Sequence, residues 1–378
     1  MRRLLQRILL KPILWATEKF SSKPQKEKIF PALTGLSEEI ITNPGKKGIQ
    51  IQLNQPDQFI IFSDQHRGAK NGADDFMNAE AAYLAALDYY YRKNFQFISL
   101  GDSEELWENL LGKVKKYNVA TFQAEKLFIQ QNRFYKVFGN HDLYWVNDPL
   151  AWWQLKNIYG QEVKVYEGII LQLAIGKSDG SGGYLPVAIP ISIGSQLSIF
   201  LTHGHQGDAS SDGNWFSKFF VSRIWGPLQA YLRINPNTPA YDEQRKTEHN
   251  YLMYEWSAAQ KNLILVTGHT HQPVFGSLTH LERLYKKLLL ARQSGNADQI
   301  REAEAEVRKR ERQYKSVAVD YLQMKPTYFN SGCCCFRDGD ITGIEIGNGK
   351  ISLVKWNKTG ERILLEETTL SELYEQIQ

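Results

Sequence analysis

The chain alternates between short, wholly apolar runs and abrupt polar breaks, and the breaks carry a consistent set of side chains. Phe59-Ile60-Ile61-Phe62-Ser63 runs into Asp64-Gln65-His66, and Phe97-Ile98-Ser99-Leu100 runs into Gly101-Asp102. Phe134 to Phe138 runs into Gly139-Asn140-His141-Asp142. Leu197 to Thr202 ends in His203-Gly204-His205, and Leu263 to Thr267 ends in Gly268-His269-Thr270-His271. Short runs rich in β-branched and aromatic residues predict buried strands. A buried strand that ends in Asp, Asn or His delivers that side chain to a sheet edge, where open α/β sheets place their chemistry.

Helical spacing fills the intervals. Between Asp74 and Lys93, Phe76, Ala79, Tyr83, Leu84, Leu87, Tyr90 and Tyr91 form one apolar stripe. Strand, helix and strand from Phe59 to Leu100 therefore predict a βαβ unit with parallel pairing. Glu104 to Gln131 reads as mostly helical. Ile49 to Leu53 alternates as a strand and opens the body near Gly48. Val163 to Ala174 and Leu185 to Ile193 read as hairpin strands joined by the Gly- and Ser-rich loop 176–183. Residues 214–256 read as a helical region dense in aromatics, and their place between two polar motifs predicts a cap over the site; His249 within it reads as structural. Residues 280–315 are highly charged and broken at Gly295 and Asn296, which predicts an inserted helical hairpin with Asn296 as N-cap and Gln299 as its capping-box partner. Its second arm has few apolar residues, so a solvated face is the expectation. Late strands around 341–346 and 351–356 complete the sheet.

Residues 1–47 differ from the rest. Arg2, Arg3, Arg7 and Lys11 interleave with Leu4, Leu5, Ile8, Leu9, Leu10, Ile13, Leu14 and Trp15. That pattern suits a basic amphipathic helix over residues 1–20, either on an anionic membrane face or packed on the body. Residues 21–47, rich in Lys, Pro and Ser, read as a linker to a catalytic domain spanning 48–378. The 42% apolar and 23% charged shares are those of an ordinary globular protein. A net charge of +4 on 378 residues makes no general case for nucleic-acid binding. The three cysteines are consecutive, Cys333 to Cys335, so no disulfide framework is available; buried, inert thiols are expected. The cysteine usage points to a reducing compartment, so a cytoplasmic location is expected, with the inner membrane face as the surface that residues 1–20 would meet if they do not pack on the body. No run reaches transmembrane length.

Asp, Asn and His offer hard oxygen and borderline nitrogen donors, a set that suits Mn, Fe, Zn or Co. The donors are too many for one ion, which implies two. Two cations roughly 3.5–4 Å apart clamp a phosphoryl group and acidify a bridging water.

In this order the motifs resemble those of the calcineurin-like metallophosphoesterases: D-x-H at Asp64 and His66, G-D at Asp102, G-N-H-[DE] at 139–142, H at His203, and G-H-x-H at 268–271. The resemblance implies an α/β fold, a four-layer α/β/β/α sandwich of two mixed sheets, with the metals at the strand ends. It implies that Asp64, His66 and His271 hold one divalent ion, that Asn140, His203 and His269 hold a second, and that Asp102 bridges them, with Mn favoured. It implies that His141 is the catalytic imidazole beside the phosphoryl oxygens and that Asp142 orients it. Arg67 is a candidate grip on substrate phosphate or a surface ion-pair residue; His205 is a candidate ligand neighbour, phosphate contact or turn residue. Asp208 and Asp212 are read as loop residues. Gly101-Asp102-Ser103-Glu104-Glu105-Leu106-Trp107 further resembles the G-D-x-x-[DE]-x-W block of the UDP-2,3-diacylglucosamine pyrophosphohydrolases, although those carry Arg where this chain has His141. The expected activity is hydrolysis of a phosphodiester or pyrophosphate in a lipid-linked or nucleotide compound. The alternatives are a Ser/Thr protein phosphatase or small-molecule phosphomonoesterase, and a metal-bearing scaffold whose catalysis has lapsed and whose hairpin 280–315 binds an unknown protein partner.

Overall fold

The protein is described from a computed structural model covering residues 24–54, 56–71, 74–174, 196–207, 243–311 and 324–378. In chain order the elements are α1 (Lys26–Thr42), β1 (Gly48–Gln52), β2 (Gln58–Phe62), α2 (Glu80–Arg92), β3 (Gln96–Leu100), α3 (Leu111–Tyr117), α4 (Val119–Gln130) and β4 (Phe134–Val137). There follow α5 (Tyr144–Asn147), α6 (Ala151–Tyr159), β5 (Val165–Tyr166), β6 (Gly168–Ala174), β7 (Gln196–Thr202), α7 (Glu243–Ala258), β8 (Leu263–Thr267), β9 (Val274–Phe275) and β10 (Leu278–Thr279). The chain closes with α8 (His280–Ser294), α9 (Ala297–Glu311), β11 (Tyr328–Asn330), β12 (Ile341–Gly347), β13 (Lys350–Trp356), β14 (Arg362–Thr369) and α10 (Leu370–Ile377).

The strands form two seven-stranded mixed sheets, ordered β1-β6-β7-β8-β11-β9-β10 and β14-β13-β12-β2-β3-β4-β5. The period-2 alternation of a strand decides which residue meets which layer. Phe59 and Ile61 point inward with Ile98, Leu100, Ile199, Leu201, Ile264 and Val266, building the core between the sheets. Ile60, Phe62 and Phe97 point outward and are covered by Tyr83, Leu87 and Tyr90 of α2. On the opposite outer face Ile170, Phe200 and Leu265 are covered by α1 and α7. The result is the expected four-layer α/β/β/α sandwich, and β2, β3 and β4 pair in parallel as the βαβ reading requires.

Two expectations change, that of the linker and that of the strand beside β6. The supposed linker is largely α1, which buries Ile29, Leu33, Leu36 and Ile40 against the sheet. Those positions keep a one-face helical spacing that the surrounding Lys, Pro and Ser residues obscure. The antiparallel partner of β6 is β7, while 185–193 lies outside the described residues. The described part of the supposed cap is α7, whose Met253 and Trp256 pack on the outer sheet face while the His249 ring lies 5.1 Å from that of His269; residues 214–242 of the cap reading lie outside the described residues. The hairpin is present, with a left-handed Gly295 between its arms. Asn296 Oδ1 accepts from the Asp298 and Gln299 amides, so the N-cap is as expected. Its arms pack Leu284 and Leu288 against Ala303 and Val307, so the sparse apolar residues of the second arm face its own partner helix. The membrane reading of residues 1–20 and the loop residues Asp208 and Asp212 lie outside the described residues.

Candidate metal centre

Both sheets contribute to the site, four residues from one and three from the other. Asp64 and His66 follow β2, Asp102 follows β3 and Asn140 follows β4, all in one sheet; His203 follows β7, and His269 and His271 follow β8, in the other. All seven are buried or nearly so. Donor atoms of Asp64, His66 and His271 lie within 4.8 Å of one another, as do those of Asp102, His203 and His269. Asp102 Oδ2 lies 3.1 Å from His203 Nε2 and 3.7 Å from His66 Nε2, so one carboxylate oxygen touches a member of each group. Asp64 Oδ1 lies 3.2 Å from His271 Nε2.

Several features hold these donors in place. His203 Nδ1–H donates to the Leu100 carbonyl at 2.9 Å, which turns its Nε2 lone pair toward the site. The His269 amide donates to Asp64 Oδ2 at 3.0 Å, and the His141 amide donates to Asp102 Oδ1 at 2.7 Å. A Cβ at Gly139 would collide with the Asp102 carboxylate, and one at Gly268 with that of Asp64, so both positions require glycine. Asp64, His66, Asp102, His269 and His271 all take left-handed backbone angles, with φ from +50° to +68°. Such angles in residues other than glycine cost about 1–3 kcal/mol each and cluster at functional sites.

The donor set fits divalent cations. Asn140 Oδ1 is buried without a hydrogen-bond partner, an unmet demand that a cation would satisfy. Burial opposes protonation of His203 and His271, yet neighbouring carboxylates outweigh it and push both pKa values up to about 9. For His203 these are Asp102 and Asp64; for His271, Asp64. The pocket thus draws positive charge to itself. His269 is held well below the usual imidazole range by burial and by His249 and His203, which keeps its ring in the neutral form that ligates metals.

Two assignments need correction. Asp142 does not reach His141: its oxygens accept the Gly139 amide at 2.6 Å and the Ser103 amide at 2.9 Å, so it ties two motif loops together. Burial raises its pKa to about 7. The carboxylate beside His141 is Glu105, whose Oε2 lies 2.7 Å from His141 Nδ1 and 3.0 Å from His66 Nδ1. Trp107 stacks on the His141 ring, 5.0 Å between centroids. Glu105 was discoverable as the acid three positions after Asp102.

Arg67 is not a substrate grip. It is fully buried, paired with Glu104 at 2.5 Å and Glu125 at 2.7 Å, and stacked over Phe122. Lys136 joins Glu104 at 2.9 Å, giving two cations and two carboxylates beneath the site. His205 is buried beside His203, with centroids 5.4 Å apart. His249 fulfils its structural reading, donating from Nε2 to the Gly204 carbonyl at 2.8 Å.

A chain with this fold and this donor set is a metal-dependent phosphoester hydrolase. The calcineurin-like phosphoesterase profile matches residues 57–273, more than half of the sequence, and the chain belongs to that family. Among curated proteins none matches it. Two solved structures are similar to it: a conserved protein from Streptococcus pneumoniae TIGR4, described as a predicted phosphoesterase, and Vacuolar Protein Sorting 29 from Cryptosporidium parvum. The first is 14% identical with a TM-score of 0.30, covering 84% of this chain and 99% of the other. The second is 12% identical with a TM-score of 0.28, covering 84% and 100%.

Proposed function

We propose that the chain holds two divalent cations and hydrolyses a phosphodiester or pyrophosphate bond in a lipid-linked or nucleotide substrate. One observation carries the two-ion reading: the donors fall into two adjoining triads, Asp64 with His66 and His271 and Asp102 with His203 and His269, and Asp102 Oδ2 also lies 3.7 Å from His66 Nε2 of the first. Asp64, His66 and His271 would hold one ion; Asn140, His203 and His269 the other; Asp102 would serve both. The mixed carboxylate, amide and imidazole donors suit Mn, Fe, Zn or Co, and Mn²⁺ is the occupant we favour. When bound, such a pair neutralises phosphoryl charge and supplies a water acidified to near neutral pKa.

The chain's own groups do the rest. His141 is partly exposed, like His271, with its backbone amide fixed on Asp102 and its Nδ1 beside Glu105. Its Nε2 edge is then the one available to a phosphoryl oxygen or to the leaving-group oxygen, where a proton is needed. Trp107 limits the ring's rotation from one face. His205 stands beside His203 on the wall of the pocket and is the candidate second contact for substrate oxygen.

The lipid-linked reading draws support from Leu150, Trp152 and Trp153, all exposed on the segment that follows the His141 loop. Hydrolysis of bis-p-nitrophenyl phosphate and p-nitrophenyl phosphate, with Mn²⁺ and with chelator, tests the proposal. Metal-dependent preference for the diester is expected. Preference for the monoester would move the reading to a phosphatase, and no turnover with metal bound would move it to a scaffold.

A further inference from the structure

The cysteine run after β11 is split between two environments. Cys334 points into the apolar layer with Phe62 and Ile341, its thiol 3.9 Å from the Thr342 carbonyl. Cys333 and Cys335 point the other way, to His271. Cys335 Sγ lies 3.6 Å from His271 Nδ1, and the two sulfurs and an imidazole nitrogen lie within 4.8 Å of one another. Both thiols are buried. The run is fixed there by the Cys334 amide, which donates to the Ser63 and Asp64 carbonyls, and by the Thr342 amide, which donates to the Cys333 carbonyl.

We infer that Cys333, Cys335 and His271 Nδ1 form a thiol-rich zinc site adjoining the hydrolytic centre, with His271 shared between the two. If Nδ1–H needed only a hydrogen-bond acceptor, one sulfur would serve; a second sulfur on the same group is surplus to that role. Tetrahedral zinc with Zn–S of about 2.3 Å and Zn–N of about 2.0 Å sets sulfur and nitrogen roughly 3.5 Å apart, close to the observed edge. Two thiolates and one imidazole favour zinc over the oxygen-loving ions suited to the neighbouring donors. Binding releases the two thiol protons, and the Nδ1 proton when that nitrogen carries one, to solvent, and no electron is transferred. The three protein donors leave a fourth position open.

Cobalt is the probe, added to the full-length protein after metal removal. Nitrogen and oxygen donors give cobalt visible bands; only thiolate donors add a charge-transfer band in the near ultraviolet. The near-ultraviolet band is expected in the wild type and in Cys334→Ser, and absent in the Cys333→Ser/Cys335→Ser double variant. Visible bands without the near-ultraviolet band in the wild type overturn the thiol site, even if the double variant fails to fold. A band that survives in the double variant also overturns it. The inference shares His271 with the proposed function, and the two fail separately. Diester hydrolysis without the near-ultraviolet band sinks this site alone, whereas the band without hydrolysis sinks the activity alone. No cobalt uptake at all overturns both.

Discussion

Glu105 touches two imidazoles with one oxygen, so removing its charge separates positioning from ligation. In Glu105→Gln, kcat for diester hydrolysis is expected to fall about 10–100-fold, the range for losing a carboxylate that orients a ligating or catalytic imidazole. Metal content, read by elemental analysis, should fall less. His141→Ala is expected to lower kcat about 10²–10⁴-fold with both ions retained; loss of both ions would mean that its role is wrongly assigned. Asp142→Asn replaces one of two buried acceptors by a donor facing an amide. A stability loss of about 1–3 kcal/mol in urea unfolding is expected there. The donors at the strand ends were legible in the sequence because a polar break after a buried run has few other uses. The partner of His141 was not: Asp142 is adjacent along the chain, yet its side chain turns to the Gly139 and Ser103 amides. Neighbours in sequence and neighbours in space are set by different constraints.

At the scale of elements, the charged layer beneath the site is structural. Arg67→Met leaves Glu104 and Glu125 buried with half of their compensation gone, and a loss of about 3–5 kcal/mol in unfolding free energy is expected. A mere rise in KM with unchanged stability would restore the substrate-grip reading. Arg67 misled because a guanidinium beside a ligand motif looks accessible until α4 and α6 are seen to bring Glu125 and Tyr159 over it. Helix α1 was hidden in a polar background, although Ile29, Leu33, Leu36 and Ile40 fall on one face. Leu33→Ala should cost about 2–5 kcal/mol, measured by thermal or urea unfolding, since Leu33 is wholly buried. The exposed pair on α6 makes the complementary case. Trp152→Ser/Trp153→Ser should raise KM for a lipid-linked diester while leaving bis-p-nitrophenyl phosphate turnover unchanged.

Over the whole molecule, the layer order followed from alternation and from βαβ units, both of which are local patterns. What local patterns could not supply was the pairing between distant strands: the three-residue strand β11 lies between β8 and β9, and β14 closes the other sheet beside β13. No described helix is long and apolar enough to cross a membrane. The proposed contact of residues 1–20 with an anionic bilayer is tested by deleting them and measuring liposome co-sedimentation; an unchanged bound fraction would remove it. Removing metal should lower Tm, and Mn²⁺ should restore stability with the logarithm of its concentration, by about 2.7 kcal/mol at a hundredfold excess over Kd.

Because each sheet carries part of every donor group, the cations would act as rivets across a seam that apolar packing and a few hydrogen bonds otherwise close. Loosening of that seam, by heat or by a cavity at Ile199 or Ile264, should then show as ion release before any strand unravels.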